Sequence, residues 1–197
     1  APTPGLSSAL RVRLHDAALS AARAVDYASA GTVEFIVSDD DAWFMEMNTR
    51  LQVEHRVTEA ITGLDLVEWQ IRVARGERLP LAQEEIVCSG HAIEARLCAE
   101  DPQRDFLPQS GTFVDFNVPD SGNGIRADSI DGWEVPPYYD SLIAKIIGHG
   151  QDRDEALARL RHALDMTTAL GVATNRRFLE RVVAHPDFVR AVHDTGF

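Results

Sequence analysis

Two short segments, GTVEFIV and WFMEMNT, alternate apolar and polar residues with period two on either side of the polar tract SDDDA. Strict alternation marks a strand with one face towards a core, and a short acidic tract between two such runs suits a hairpin turn. With the loop at 38–42, Val37 faces Trp43 and Glu34 faces Glu46 across the pair. The alternation continues through EMNTRLQVE. If that segment stays extended, Glu46, Asn48, Arg50, Gln52 and Glu54 project to one side, while Met45, Met47, Leu51 and Val53 face the core.

Around this hairpin the pattern is helical. Leu6, Leu10, Leu14, Ala17, Ala18, Ala21 and Val25 recur at helical spacing after Pro2 and Pro4, and Gly31 closes that unit. Residues 58–75 read as a second helix with Gly63 weakening its centre and Gly76 at the stop position. Irregular sequence at 78–90 marks a boundary. Beyond it, HAIEARLCAE, SGTFVDFNV, GIRADSI and SLIAKIIGHG are short strands between turn signals, a small β-rich unit. Asp152 and Glu155 resemble a capping box opening a helix that Gly171 closes, and a last helix runs over about 174–184 and stops before Pro186.

Composition excludes several classes of function. The 197 residues are 45% hydrophobic with a formal net charge of −12, which opposes nucleic acid and membrane surfaces as partners. No apolar run approaches the ~20 residues of a membrane span. Cys88 and Cys98 lack metal-site or disulfide-framework spacing and read as buried thiols in a reducing compartment. The start lacks Met and signal-peptide character, so the chain reads as a cytoplasmic piece of something longer. Its one lysine is Lys145, so the lysines that usually contact nucleotide phosphates are not in it.

Carboxylates directly opposite in a sheet repel each other, and a divalent cation between Glu34 and Glu46 resolves the conflict. Magnesium suits the pair, since it takes one or two carboxylates and completes its shell with phosphate oxygens and water. Asn48 could add a carbonyl oxygen. Arg50 offers a planar fork for a small oxyanion such as bicarbonate, and Glu54 is placed to act as base.

EMNTRLQVEH followed by VTEAITGLDLVEWQ is similar to the signature of biotin carboxylases, the ATP-grasp components of acyl-CoA and pyruvate carboxylases. The likeness continues through HAIEARLCAEDP, FLPQSGT, VPPYYDSLIAKII and TNRRFL, nearly the whole chain. It implies an α+β fold: the C-terminal part of an ATP-grasp domain at 1–84, then a small β-rich biotin carboxylase C-terminal domain with flanking helices at 85–197. It implies ATP-dependent carboxylation of biotin through carboxyphosphate. Glu34, Glu46 and Asn48 would hold magnesium or manganese. Arg50, Gln52 and Val53 would bind bicarbonate, with Glu54 as general base. Arg96 would stabilise the biotin enolate, although taken alone it reads as a surface arginine beside Glu94 and Glu100.

Implied partners are a biotin carboxyl carrier domain, a carboxyltransferase component and a second copy bound through the C-terminal domain. Two residues depart from the family pattern. Arg56 stands where the motif has Pro, and Asn123 stands near the position of an aromatic residue in dimer-forming bacterial members. Two other readings share parts of this pattern: a non-catalytic module of the same family, and a carbamoyl phosphate synthase-like ligase. The latter leaves HAIEARLCAEDP and PPYYDSLIAK without an account. The nucleotide lid would lie N-terminal to Ala1, and this piece alone would be inactive.

Overall fold

The computed structural model describes residues 1–194 and 196–197 as two compact units, one of residues 3–88 and one of residues 89–197 with Ala1 and Pro2.

In the first unit, helix α1 spans Ser8–Ala24, and the Ser7 hydroxyl at its N-cap accepts from Leu10 N at 3.1 Å, the usual role of a serine there. Strands β1 (Thr32–Ser38) and β2 (Asp41–Asn48) form the expected antiparallel hairpin with a tighter turn. In that turn Asp39 takes the left-handed conformation that a short polar side chain tolerates. Glu34 pairs with Glu46 as the alternation requires. The other pairing differs from expectation: Val37 faces Ala42, and Trp43 faces Ile36. The cause is a bulge, because the register steps from Glu34↔Glu46 to Phe35↔Phe44 and passes over Met45.

The face of the hairpin expected to turn inward is only partly covered. Val33, Phe35, Val37 and Met47 are half-buried while Trp43 and Met45 are exposed, and of the apolar residues described at 3–88 only Leu10 and Ile61 are buried.

Two helices replace the single one expected at 58–75. Helix α2 (His55–Thr62) ends at Gly63, whose φ of 71° lies in the left-handed region and whose N–H bonds the Glu59 carbonyl. A glycine carries that C-terminal conformation without steric cost. Helix α3 (Leu66–Ala74) starts at once from Asp65, whose carboxylate accepts from Glu68 N at 2.8 Å and so caps the new helix. Gly63 and Asp65 thus form a stop and a start two residues apart.

In the second unit the sheet has β3 (His91–Cys98) and Ile125–Ser129 flanking a central strand, Leu142–Gly150, all antiparallel. Helix α4 (Arg153–Met166) lies on one face of it. Ala95 and Leu97 of β3 and Ile143, Ala144 and Ile146 of the central strand pack with Leu157, Leu160 and Leu164 of the helix. Each buried Leu or Ile side chain contributes about 1.5–3 kcal/mol, so this layer is the main source of the unit's stability. The approach of helix to strand depends on glycine. A Cβ on Gly148 would meet the backbone of Ala156 and Leu160.

The capping expected for α4 is present with one change. Asp152 accepts from Glu155 N at 2.9 Å, and Glu155 reaches back to Gln151 N at 2.7 Å. In a capping box that second bond would go to the cap residue itself. The helix does not continue to Gly171. It ends at Met166, and Thr168–Leu170 pairs as a strand with Asp115–Asn117, as suits a β-branched start. Helix α5 spans Arg176–Ala184. No helix among the described residues is long and apolar enough to cross a membrane.

Candidate functional site

The hairpin register places Glu34 and Glu46 directly opposite each other, two anions side by side on a narrow sheet. Amide groups gather at the pair. Asn48 Nδ2 donates to Glu34 Oε1 at 2.7 Å and to Glu46 Oε1 at 3.3 Å, and Gln52 Nε2 donates to the same Glu34 oxygen at 2.8 Å. All of these bonds fall on Oε1 atoms, which leaves the Oε2 oxygens as those a hard cation would take. Asn48 therefore presents its N–H to the carboxylates, whereas the sequence pattern suggests its carbonyl oxygen as a ligand.

Among the described residues no cluster of three or more His, Cys, Asp or Glu could hold a metal ion. A two-carboxylate site fits magnesium, which ordinarily leaves several positions to phosphate and water, and does not fit zinc, which takes four protein ligands in structural sites.

The extended run expected beyond Asn48 does not form. β2 ends there, and 49–54 turns into α2, with His55 N bonding Gln52 O at 3.3 Å. The common face is therefore broken, and Gln52 reaches Glu34 because the chain folds back. Arg50 is exposed on that turn and, among the described residues, donates a single long 3.4 Å bond, to Leu51 O rather than to the carboxylate pair. Val53 is half-buried on the same turn. Glu54 occupies the N-cap of α2, yet its side chain makes no capping bond to the helix.

His55 braces the turn through its Nδ1, which lies 2.7 Å from Gln52 O. A carbonyl oxygen can only accept, so Nδ1 carries the proton. Sequence leaves the direction of Arg56 open. It points along α2, where Nη1 lies 2.5 Å from Glu59 Oε2. Glu59, only 8% exposed, also accepts from Leu66 N at 2.8 Å, which ties the start of α2 to the start of α3.

Arg96 belongs to the second unit. It is exposed on β3, on the face away from buried Ala95 and Leu97, and is paired in register with Lys145. Lys145 in turn lies 3.5 Å from Asp128, which also receives Arg126 at 3.0 Å. Sequence reasoning missed one residue here. Asn175 bonds β3 beside Arg96. Its sole local signal was an Asn just ahead of a helix, which reads as an ordinary cap.

The thiols also differ from expectation. Cys88 is exposed. Cys98 is half-buried with its thiol pushed up to about 11, chiefly by burial and then by the charge of Glu100, both of which disfavour the thiolate. A mostly apolar cavity of about 490 Å³ between Tyr27, Leu66, Trp69, Val73 and Leu79 contains none of the candidate site residues.

The α+β fold thus carries paired carboxylates on a hairpin, an arginine-bearing turn after it and a glutamate at the next helix start. Comparison with known proteins places it further. The Biotin carboxylase C-terminal domain family matches residues 94–197, and the Carbamoyl-phosphate synthase L chain, ATP binding domain family matches residues 1–82. The chain belongs to the biotin carboxylase family.

Its relatives include the mitochondrial methylcrotonoyl-CoA carboxylase subunit alpha of Dictyostelium discoideum, 49% identical over all of this chain and 29% of that protein. The biotin carboxylase of Nostoc sp. is 46% identical over all of this chain and 44% of its own length. Among solved structures, the biotin carboxylase domain dimer of Hydrogenobacter thermophilus 2-oxoglutarate carboxylase, in complex with MgADP, ADP and bicarbonate, superposes with a TM-score of 0.92. It is 44% identical over 97% of this chain and 43% of that one. The chain thus spans less than half the length of these relatives. The mixed helix and strand content agrees with these neighbours and with the expected fold class.

Proposed function

We propose that the polypeptide carrying this chain is a biotin carboxylase that cleaves ATP with bicarbonate and carboxylates biotin on a carrier domain. The observation that carries this reading is the Glu34↔Glu46 pair with Asn48 and Gln52 bonded onto it, in a family whose solved neighbour holds MgADP and bicarbonate.

Glu34 and Glu46, steadied by Asn48, hold magnesium or manganese, which when bound neutralises charge on the nucleotide phosphates. Arg50, Gln52 and the backbone at Val53 hold bicarbonate, and Glu54 accepts its proton as a bicarbonate oxygen attacks the γ-phosphorus and ADP leaves. Positioning and charge neutralisation are what such a transfer demands. Arg96 supplies a fixed cation for the negative charge that develops on the ureido oxygen of biotin.

Within this reading, 1–84 is the C-terminal part of an ATP-grasp domain and 85–197 the C-terminal domain. The partners are a biotin carboxyl carrier domain, a carboxyltransferase component and a second copy, and the compartment is the cytoplasm. The 197-residue chain by itself is inactive, because half a nucleotide site does not position the γ-phosphate. The test compares ADP release from MgATP by the full-length polypeptide with and without bicarbonate and free biotin. Release that depends on bicarbonate and rises with biotin is expected, and release indifferent to bicarbonate overturns the reading.

A further inference from the structure

We propose that Asn175 is the positioning residue for Arg96, an inference that rests on the role given to Arg96 above. Asn175 is only 7% exposed and lies at the N-cap of α5, where an Asn side chain normally accepts from the first turn of its own helix. It makes no such bond. Its amide is turned instead onto the outer edge of β3: Oδ1 accepts from Cys98 N at 2.9 Å, and Nδ2 donates to Arg96 O at 3.1 Å. Its own backbone N–H donates to Cys98 O at 3.1 Å.

One buried residue thus reproduces what a neighbouring strand would supply, and it does so where β3 carries Arg96. Residues along an antiparallel strand turn their peptide groups alternately to one neighbour and to the other. Arg96 directs its carbonyl away from the central strand, towards Asn175. Ala95 and Leu97 on either side are locked into the core. With the peptide clamped on its outer edge and its neighbours packed, the direction in which the Arg96 Cα–Cβ bond leaves the strand is fixed, and the side chain starts from a preset point. Preset direction matters most for a cation that must meet charge as it develops, since a displacement of about 1 Å can lower turnover ~100-fold.

The test uses Asn175→Asp in the full-length carboxylase. That change keeps size and the acceptor for Cys98 N but replaces the donor to Arg96 O with a second oxygen. Biotin-dependent carboxylation is expected to fall about 10- to 100-fold in kcat. Bicarbonate-dependent ATP cleavage without biotin should stay within about twofold, because the groups assigned to it are on the hairpin and the turn after it. In an Arg96→Ala background the same change should produce no further loss, as expected of residues acting as one unit.

If the aspartate variant does not fold by circular dichroism, Asn175→Ser, whose single short hydroxyl cannot span both Cys98 N and Arg96 O as the amide does, is measured with the same expectation. Equal loss of both activities, or a further loss in the Arg96→Ala background, overturns the proposal by showing a merely structural role. So does unchanged carboxylation in the Asn175 variant when Arg96→Ala alone is impaired. Unchanged carboxylation in Arg96→Ala itself overturns the reading of Arg96 and the proposal with it.

Discussion

Glu46→Gln in the full-length polypeptide is expected to abolish bicarbonate-dependent ATP cleavage, a loss of about 1,000-fold or more. The substitution keeps the shape of the side chain and the acceptor for Asn48 Nδ2, so the β1–β2 register, fixed by backbone pairing, has no reason to change. What disappears is one of the two charges that would hold the cation in the proposed reading. Like charges opposed across strands destabilise a sheet by up to about 1 kcal/mol, so the metal-free variant should unfold at the same temperature as wild type or slightly above it. Activity is therefore lost without any loss of stability. Measuring steady-state ADP release over a magnesium titration, beside thermal unfolding without metal, distinguishes loss of the cation from loss of the fold. Wild-type turnover in the variant would refute the assignment.

Glu54→Gln is expected to lower the same reaction by about 100- to 10,000-fold, the usual contribution of a positioned general base. Its signature differs from that of Glu46. The apparent affinity for magnesium should be kept, because the carboxylate pair is on the hairpin and Glu54 is at the start of α2. The glutamate is held there by a turn rather than a strand, and that turn is braced by Gln52 reaching Glu34 and by His55 bonding Gln52 O. The Arg56–Glu59–Leu66 network anchors the helix that follows. In this chain that network stands where a proline would have fixed the backbone. A Glu54→Gln enzyme with a raised magnesium requirement and an otherwise normal maximal rate would contradict the role assigned to it.

How far the sequence could be read depended on the range of the interaction involved. Period-two alternation is local, and it places Glu34 against Glu46 correctly. The bulge at Met45 is not visible in an alternating pattern, so the pairs nearer the turn slip by one. Gly63 carries more weight than its place in the pattern suggests. A glycine inside an apolar periodicity reads as a weak point, and only the adjacent Asp65 capping bond reveals a second helix start. The 49–54 segment continues the alternation in sequence but not in space, because its side chains satisfy the turn instead of a ladder.

Two features lie beyond local reading altogether. The direction of Arg56 is decided by a carboxylate one helical turn away that could equally have been exposed. The use of Asn175 depends on a strand 77 residues earlier in the chain. The alternation also implies a core on one side of the hairpin, and on that side Val33, Phe35, Val37 and Met47 are half-buried rather than fully covered.

The most direct test of the account follows oxygen atoms. Bicarbonate labelled with ¹⁸O is supplied with MgATP to the full-length polypeptide, and the inorganic phosphate released is analysed by mass spectrometry. If a bicarbonate oxygen attacks the γ-phosphorus and the C–O bond of carboxyphosphate then breaks, that oxygen stays with phosphorus, and each phosphate carries one labelled atom. Phosphate whose new oxygen comes from water instead would mean that bicarbonate does not attack ATP, and the site built around Glu34, Glu46 and Glu54 would not be that of a working biotin carboxylase.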